Sequence, residues 1–286
     1  MESSNPIWTP KTIPNAGNIG KVKLGGDIFF EGRVSGDEIR AKASIKYLIE
    51  KVYQNTSVKL KPADILRLKL GHTNIVKKFT KDDIQENFEL NDRGVNVSIE
   101  KIDGLVMPYN CSESFSNLIG IGTADCAPII IRSDKLVGVV HAGHQGLSNE
   151  IIANLAVAVR EIEGTNLEKI RIAIAPMAEK LLFPLSFENQ VPADFFNLYR
   201  DLGLIQTLEA TNSLRSQIFD NAPSTEKKLY FNFIGILIHQ LLEEFRISES
   251  NIELSNIDTT IDPYSYSYRR DKNDLNYSNN LSFVLG

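Results

Sequence analysis

Cysteine is scarce in this sequence, since only Cys111 and Cys126 occur among 286 residues. Two cysteines are too few for a disulfide-stapled scaffold, and the N-terminus lacks the charged-then-apolar pattern of a secretory signal. Long apolar runs are missing too, because none approaches the ~20 residues that a membrane-spanning helix needs. We therefore expect a cytoplasmic protein with reduced thiols and no membrane partner, in which a cysteine within a motif is a metal ligand or a nucleophile.

A strong excess of one charge is also absent, since 31 basic and 36 acidic residues give a net charge of -5. No cluster of Lys and Arg stands out, and such clusters supply most of the affinity for a phosphate backbone. The charge pattern therefore argues against nucleic acid as a partner. It leaves the oligomeric state open.

The composition, with 42% hydrophobic and 23% charged residues, is typical of a globular protein. A chain of 286 residues forms one large domain or two average ones, and neither a repeat nor a convincing linker divides it. The first 26 residues are rich in Pro and Gly, which favours extended chain. We therefore predict an extended N-terminal segment over residues 1–26 and one domain over residues 27–286.

Hydrophobic periodicity predicts both strands and helices. Helical spacing covers residues 37–52, 149–163, 194–199 and 230–245, and strand-like patterns cover residues 65–70, 97–106, 118–122, 128–132, 136–141, 169–175 and 281–285. A polar stretch over residues 80–96 predicts loops. The fold class that follows is α/β (α+β), a single domain of mixed β-sheets with flanking helices.

The chain has four histidines, and two of them lie at predicted strand ends. Cys126 lies in a tight polar corner before the predicted strand 128–132, and His141 ends the strand that returns after a hairpin turn. Neighbouring strands lie ~5 Å apart, so an antiparallel hairpin places these two side chains near each other. His72 follows a separate strand.

A cysteine and two histidines around one ion, with a fourth position open, are typical of catalytic rather than structural zinc sites. Thiolate and imidazole ligands suit zinc or copper, whereas calcium and magnesium prefer oxygen. We therefore consider His72, Cys126 and His141 a candidate metal site. By spacing alone, a hydrogen-bonded structural histidine and a buried cysteine remain the commoner explanation.

Two segments flank the predicted hairpin, Thr-Ala-Asp-Cys-Ala-Pro over residues 123–128 and His-Ala-Gly-His-Gln-Gly over residues 141–146. They resemble the signature of the YfiH-type laccase-domain family, which reads Thr-Ala-Asp-Cys-x-Pro and then His-Ala-Gly-Trp-Arg-Gly. Ordered matches at compatible spacing are far more specific than one motif. Further similarities follow the family's order over roughly the last three quarters of the chain, at residues 71–76, 103–106, 174–176, 259–260 and 264–271.

Members of that family were once described as multicopper polyphenol oxidases and are regarded as zinc-dependent purine nucleoside phosphorylases with adenosine deaminase activity. The resemblance implies one Zn²⁺, with copper less suited, held by His72, Cys126 and His141. It also implies a purine nucleoside and phosphate as substrates. For deamination, Asp125 beside the thiolate ligand is our candidate for accepting a proton. The predicted catalytic residues are therefore Cys126, Asp125 and His141.

The chain departs from the family pattern at the Trp-Arg pair, which is His144-Gln145 here. A glutamine amide cannot replace the charge-assisted, bidentate contact of a guanidinium with phosphate. Phosphorolysis would then require another cation, and the candidates are Arg33, Arg269 and Arg270. Together with His144 and Gln145 they form the predicted substrate-binding set.

Two other functions stay open. Cys126 and His141 suit the nucleophile and base of a cysteine hydrolase or deamidase, because the imidazole can withdraw the thiol proton. The resembled family shares its architecture with the deamidases of the cytotoxic necrotizing factor toxins. The changed Trp-Arg pair also fits a non-catalytic member that binds zinc and a nucleoside. Of the other histidines, we expect His144 to pack at the pocket rim and His239 to lie in a helix.

Overall fold

The computed structural model describes residues 9–11, 19–23, 27–31, 49–50, 53, 59, 61, 65–68, 70–79, 88–91, 94–97, 101–108, 118–209, 227–263, 265–273 and 279–285. In chain order, the strands among them are β1 (Thr9–Lys11), β2 (Ile19–Lys23), β3 (Asp27–Glu31), β4 (Ile65–Leu68), β5 (Val76–Lys78), β6 (Phe88–Asn91), β7 (Gly94–Val97), β8 (Gly104–Pro108), β9 (Leu118–Thr123), β10 (Ala127–Arg132), β11 (Leu136–Ala142), β12 (Arg171–Ile174), β13 (Lys180–Pro184), β14 (Ile205–Glu209), β15 (Lys227–Asn232), β16 (Ile252–Leu254) and β17 (Asn280–Leu285). The helices are α1 (His144–Ser148), α2 (Ile151–Glu163), α3 (Ala193–Asp201), α4 (Phe233–Phe245) and α5 (Tyr268–Asp271), with 3-10 helices at Leu185–Gln190 and Glu249–Asn251.

These strands form three sheets within the described part of the chain. The first has eight strands in the order β1-β2-β3-β17-β9-β4-β7-β6, the second has six in the order β16-β12-β10-β11-β8-β5, and the third has three in the order β13-β15-β14. Parallel pairs such as β4-β9 and β5-β8 occur beside antiparallel hairpins such as β10-β11. The prediction of a single domain with mixed sheets and flanking helices is confirmed.

The six-stranded sheet is the middle layer, because both of its faces are buried. Along β10, Ile129 and Ile131 pack into a core that also contains residues of α2 and α4, while Ile130 packs with residues of the eight-stranded sheet. Every residue of β11 is buried. Branched apolar side chains on both faces suit a strand that is covered on both sides. The apolar runs of β10 and β11 therefore explain the central position of their hairpin.

The residues described within the polar stretch 80–96 form strands, so the prediction of loops was wrong for them. β6 and β7 form a hairpin there, in which Asn91 is paired with Gly94. β7 also pairs in parallel with β4. These strands are short, and β7 has its second partner, β4, in a distant part of the chain. Local alternation of apolar residues therefore did not reveal them.

Two other predicted elements had wrong bounds. The predicted strand 97–106 is two strands in different sheets, since β7 ends at Val97 and β8 begins at Gly104. The predicted helix 230–245 begins only at Phe233, because its first residues belong to β15. The side chain of Asn232 accepts a hydrogen bond from the N–H of Gly235 over 3.1 Å and so caps α4. Asparagine is a favoured N-cap, which accounts for the observed start.

Some predictions concern residues that are described only in part. Of the predicted helix 37–52, residues 49 and 50 are helical and the others lie outside the described residues. β1 and β2 fall in the predicted N-terminal segment and join β3 in the eight-stranded sheet. The boundary at residue 26 stays a prediction. Among the helices that the structure describes, none is long and apolar enough to cross a membrane.

Candidate metal centre

Two chain crossings meet at one end of the large sheets. β4 and β9 are parallel neighbours in the eight-stranded sheet, so both strands end on the same side of it. After each of them the chain crosses to the six-stranded sheet, from β4 to β5 and from β9 to β10. The first crossing contains His72 and the second contains Cys126. Sheet topology thus brings together two residues that are far apart in the sequence.

The hairpin of β10 and β11 contributes the third residue. His141 is paired with Pro128, two positions after Cys126. The ligand atoms of His72, Cys126 and His141 all lie within 4.8 Å of one another. The three residues that were predicted to share one ion therefore converge in the structure.

The three side chains differ in their exposure to solvent. His141 is only 3% exposed, Cys126 is half-buried and His72 is exposed. The imidazole rings of the two histidines are 4.9 Å apart between centroids and nearly perpendicular, at 89°. The site is therefore closed on the side of β11 and open on the side of His72.

A buried aspartate to which the sequence analysis assigned no role lies beside His141. Asp103 precedes β8 and is fully buried, and its Oδ1 lies 2.6 Å from Nδ1 of His141. Burial opposes ionisation of Asp103, but hydrogen bonds from His141 and Thr73 outweigh it and lower its pKa to about 2. An ionised carboxylate only accepts hydrogen bonds, so Nδ1 of His141 donates and Nε2 is left for Cys126. The one sequence signal was the place of Asp103 in a segment that resembles the family.

The same carboxylate contacts the loop that carries His72. The backbone N–H groups of Gly71, His72 and Thr73 donate to it over 3.3, 3.1 and 2.5 Å. The backbone φ of His72 is 55°, in the left-handed region that is uncommon for residues other than glycine. These hydrogen bonds stabilise that backbone conformation, in which the His72 ring reaches Cys126.

Hydrogen bonds connect the three converging side chains and shift their pKa values. Burial opposes ionisation of the Cys126 thiol, but hydrogen bonds from His141 and His72 outweigh it and lower its pKa to about 7. Burial also opposes charging of His141, yet its hydrogen bonds with Asp103 and Cys126 raise its pKa to about 9. The hydrogen bond with Cys126 raises the pKa of His72. A thiolate beside two imidazoles is a donor set for zinc or copper, whose binding releases such protons.

Glycine at position 143 leaves room for the ligands. A Cβ atom there would lie 3.0 Å from Sγ of Cys126 and 3.8 Å from Cδ2 of His72. The φ of Gly143 is -87°, which any residue can adopt, so the backbone conformation does not require glycine. The close approach of the Cys126 and His72 side chains is what favours glycine at this position. The donor set and this cradle together fit one ion held by the three residues.

His144 begins α1 and packs against aromatic side chains. Its ring centroid lies 5.2 Å from that of Phe183 and 5.3 Å from that of Phe187, and the two phenylalanine rings stack at 3.9 Å. Burial, followed by the charges of Arg269 and His72, lowers the pKa of His144 to about 4. His144 is therefore neutral at pH 7. It is a packing residue of this aromatic cluster and is not among the three converging ligands.

The guanidinium of Arg270 forms hydrogen bonds with residues 259–271 of the C-terminal part of the chain. Its Nε and one Nη2 hydrogen donate to the carboxylate of Asp271, both over 2.8 Å. A guanidinium has five N–H donors, and all of them find partners here. The remaining donors go to the backbone carbonyls of Thr259, Asp262 and Ser265.

Arg269, in contrast, lies against the aromatic cluster. Its Nη1 donates to the carbonyl of Leu182 over 2.8 Å, and its guanidinium carbon lies 4.9 Å from the centroid of Phe183. Its charge also contributes to the lowered pKa of His144. Of the two adjacent arginines that were predicted to bind substrate, the structure brings Arg269 to the His144 side of the site.

Asp125 precedes the thiolate ligand, but its carboxylate bonds to the C-terminal part of the chain. Oδ1 accepts a hydrogen bond from Oγ1 of Thr259, and Oδ2 accepts one from the backbone N–H of Arg269, each over 2.9 Å. Burial raises the pKa of Asp125. This residue therefore fixes the position of Arg269 relative to Cys126, and its predicted role in proton transfer stays a prediction.

Gln145 and His239 are not among the three converging side chains. Gln145 is exposed on α1. His239 lies on α4, as predicted, with its ring centroid 5.5 Å from that of Tyr199. Arg33 and Cys111 lie outside the described residues.

Comparisons with known proteins agree with this architecture. The model of a family described as multi-copper polyphenol oxidoreductase laccase matches residues 42–284. Among solved structures, the chain is similar to the hypothetical protein YfiH of Bacillus licheniformis, with a TM-score of 0.67 and 17% identity over 96% of this chain and 98% of that one. It is also similar to YlmD of Geobacillus stearothermophilus, with a TM-score of 0.58 and 19% identity over 100% and 97% of the two chains. At these identities the likeness concerns the fold.

Two curated proteins are similar to short segments of the chain. A purine nucleoside phosphorylase of Aquifex aeolicus (strain VF5) is 51% identical over 43 residues, which are 15% of this chain and 21% of that protein. A purine nucleoside phosphorylase of Rickettsia prowazekii (strain Madrid E) is 40% identical over 52 residues, which are 18% of this chain and 22% of that protein. The matched segments thus span about a fifth of the length of either relative.

Proposed function

The chain belongs to the multi-copper polyphenol oxidoreductase laccase family, and from this premise we propose that it is a zinc-dependent enzyme acting on purine nucleosides. The observation that carries the proposal is the convergence of His72, Cys126 and His141 at an open end of the sheets. The short similarities to proteins named purine nucleoside phosphorylase support the substrate class.

The ligand inventory favours one zinc ion over several copper ions. The whole chain has four histidines and two cysteines, and one of those histidines lies on α4 against Tyr199. This supply of soft ligands cannot hold a group of copper ions in addition to the three-residue site. Three protein ligands with an open fourth position are typical of catalytic zinc. When bound there, zinc would supply a Lewis acid and lower the pKa of water toward ~7.

Each side chain of the site then has a defined task. Asp103 holds His141 in the tautomer that leaves Nε2 for the ion. The neutral ring of His144 can both donate and accept a hydrogen bond, which suits the polar edge of a purine. The rings of Phe183 and Phe187 pack against the His144 ring. We therefore place the purine base beside His144 and the ribose nearer the ion.

Arg269 is our candidate for the cation that phosphate requires. Gln145 carries no charge and the guanidinium of Arg270 is taken up by its own segment. Arg269 lies next to His144, and Asp125 holds its backbone. A guanidinium binds phosphate through charge-assisted, bidentate hydrogen bonds. This arrangement supports phosphorolysis in spite of the changed Trp-Arg pair.

Metal and product analysis tests the proposal. The purified protein should contain about one zinc per chain, as expected for a three-ligand catalytic site. Adenosine and inosine are then incubated with and without phosphate. Phosphorolysis would give the free base and ribose 1-phosphate only with phosphate, whereas deamination would convert adenosine and water to inosine and ammonia in both cases. A zinc-loaded, folded protein that yields none of these products would refute the enzymatic proposal, and nucleoside binding without turnover would indicate the non-catalytic alternative.

A cysteine hydrolase or deamidase is the second candidate, and Asp103 is the observation that favours it. Cys126, His141 and Asp103 follow one another in the order of a nucleophile, base and orienting carboxylate. His72 argues for the metal, because a nucleophile and its base do not need it. Alkylation of Cys126 that zinc prevents, together with stoichiometric zinc in the purified protein, would exclude this alternative.

A further inference from the structure

One carboxylate is hydrogen-bonded to parts of the chain that supply two of the three ligands. Asp103 accepts from Nδ1 of His141 over 2.6 Å and from the N–H of His72 over 3.1 Å. It also accepts from the N–H and the hydroxyl of Thr73 over 2.5 and 2.7 Å, and from the N–H of Gly71 over 3.3 Å. Asp103 itself is fully buried at the start of β8. Asp103 thus contacts both the His141 ring and the backbone of the His72 loop.

The two ligands depend on Asp103 for different reasons. His141 lies at the end of a buried strand, so its position is set by the sheet and only its tautomer and ring orientation remain to be chosen. Metal-binding histidines generally donate their second ring nitrogen to a carboxylate or carbonyl, which raises the basicity of the ligand. His72 lies on a loop with a left-handed backbone, and its whole position depends on the hydrogen bonds made by residues 71–73.

Two further hydrogen bonds hold the same loop at Asn74. The amide of Asn74 donates to the carbonyl of Asn149 over 2.7 Å, and the amide of Asn154 donates to the carbonyl of Asn74 over 2.9 Å. These contacts fix the loop to the start of α2. Neither of these two hydrogen bonds involves His141, whereas Asp103 is hydrogen-bonded both to His141 and to the His72 loop.

We infer that Asp103 is the positioning residue of the metal centre and that Thr73 is its partner. Asp103 orders His72 and His141 before an ion arrives, which reduces the ordering that metal binding must bring about. Thr73 stands where the resembled family has glycine, and its hydroxyl adds a hydrogen bond that a glycine lacks. This inference rests on the proposed function only in taking the three residues as metal ligands, and it requires no nucleoside chemistry.

Zinc affinity of the full-length protein, measured by competition with a chromophoric chelator, tests the inference. Asp103→Asn should weaken zinc binding by about 10- to 100-fold, the range found for groups that orient metal ligands. Asp103→Glu keeps the charge but moves it along the side chain, so it should also weaken binding. Asp134→Asn removes an equal charge from the exposed hairpin turn between β10 and β11 and should leave the affinity unchanged.

Thr73 provides a milder test in case the Asp103 variants do not fold. Thr73→Val keeps the backbone N–H but removes the hydroxyl, which donates to Asp103 and accepts from the N–H of Ile75. Zinc binding should then weaken by about 2- to 10-fold, the scale of a lost hydrogen bond. Thr73→Ser retains the hydroxyl and should restore the affinity. The thermal midpoint of each metal-free variant shows whether the fold is intact, and the absorption spectrum of the cobalt-loaded protein reports the ligand geometry.

The outcomes separate this inference from the proposed function. Weaker zinc binding by Asp103→Asn and Thr73→Val in folded protein supports the inference, whether or not nucleosides are turned over. Wild-type affinity and an unaltered cobalt spectrum in both folded variants would overturn it while leaving the zinc enzyme intact. A wild-type protein that binds no zinc would overturn both.

Discussion

The two histidines of the candidate metal centre occupy opposite kinds of structure. His141 is buried at the end of β11 in the middle sheet, and its place follows from the strand register with β10 and β8. His72 is exposed on a loop with a positive φ, and its place follows from hydrogen bonds to one carboxylate. A buried histidine and an exposed one thus meet at Cys126. The same site is held partly by the fold and partly by a local polar network.

The largest expected effect comes from removing either histidine. His141→Ala and His72→Ala should both abolish stoichiometric zinc binding, since two protein ligands remain. Only His141→Ala should strongly destabilise the fold, by about 3–5 kcal/mol, because it breaks the buried pair that the His141 imidazole forms with the Asp103 carboxylate. His72→Ala should change the free energy of unfolding by only about 0.5 kcal/mol, as is usual for exposed side chains. Urea unfolding of the metal-free variants measures the difference, and equal destabilisation would contradict the contrast between the two ligands.

Gly143 allows a test of crowding without loss of a ligand. A methyl group at this position would lie 3.0 Å from Sγ of Cys126, so Gly143→Ala should displace the sulfur and weaken zinc binding by roughly tenfold or more, as for other perturbed metal ligands. Gly164→Ala is the matched control, because nothing lies within 4 Å of a Cβ there and its φ is 80°. That variant should lose about 1 kcal/mol of stability through backbone strain and keep its zinc affinity. Equal zinc affinities for the two variants would show that the space at Gly143 does not matter.

The two adjacent arginines extend the comparison to the substrate side. Arg269→Gln should raise the KM for phosphate by about 10- to 100-fold, since one bidentate charged contact is removed. Arg270→Gln should instead lower the melting temperature, because it removes the guanidinium donors of several backbone carbonyls and the charged partner of Asp271. Steady-state kinetics with varied phosphate and thermal melts of both variants distinguish the roles. A phosphate KM that moves only in Arg270→Gln would reverse the assignment.

The smallest expected effect is a shift in the pH dependence of thiol alkylation. In zinc-free protein, the thiolate fraction of Cys126 rises with pH, so its alkylation rate should reach half its maximum near pH 7. His72→Ala removes one of the hydrogen bonds that lower this pKa and should move the midpoint to higher pH. Peptide mapping by mass spectrometry follows Cys126 separately from Cys111, and added zinc should protect Cys126. A midpoint that stays near pH 7 in the variant would mean that His141 alone activates the thiol.

Much of the site could be predicted from the sequence. The parts that were missed depend on contacts between segments that are distant along the chain. The strand pattern and turn around residues 133–135 predicted the hairpin that places His141 beside Cys126. Ligand chemistry made His72 a candidate third ligand, and the resemblance to the family implied the same set. Asp103 was missed because its partner in β11 lies 38 positions away. The pairing of β8 with β11 is a property of the assembled sheet. Arg270 resembled an anion-binding residue in the sequence, yet its donors are taken up by carbonyls that only the folded C-terminal segment brings together.

The amino-acid sequence by itself determined which ligand types are present, the buried hairpin that joins two of them and the class of fold. Hydrophobic periodicity and the chemistry of sulfur and nitrogen ligands act locally, so they can be recognised along the chain. The tertiary structure alone decided that β4 and β9 end side by side, that Asp103 is hydrogen-bonded to both histidine segments, and that Arg269 rather than Arg270 lies against the aromatic cluster. Those outcomes depend on strand order and on hydrogen bonds between distant segments, which exist only after the sheets have assembled.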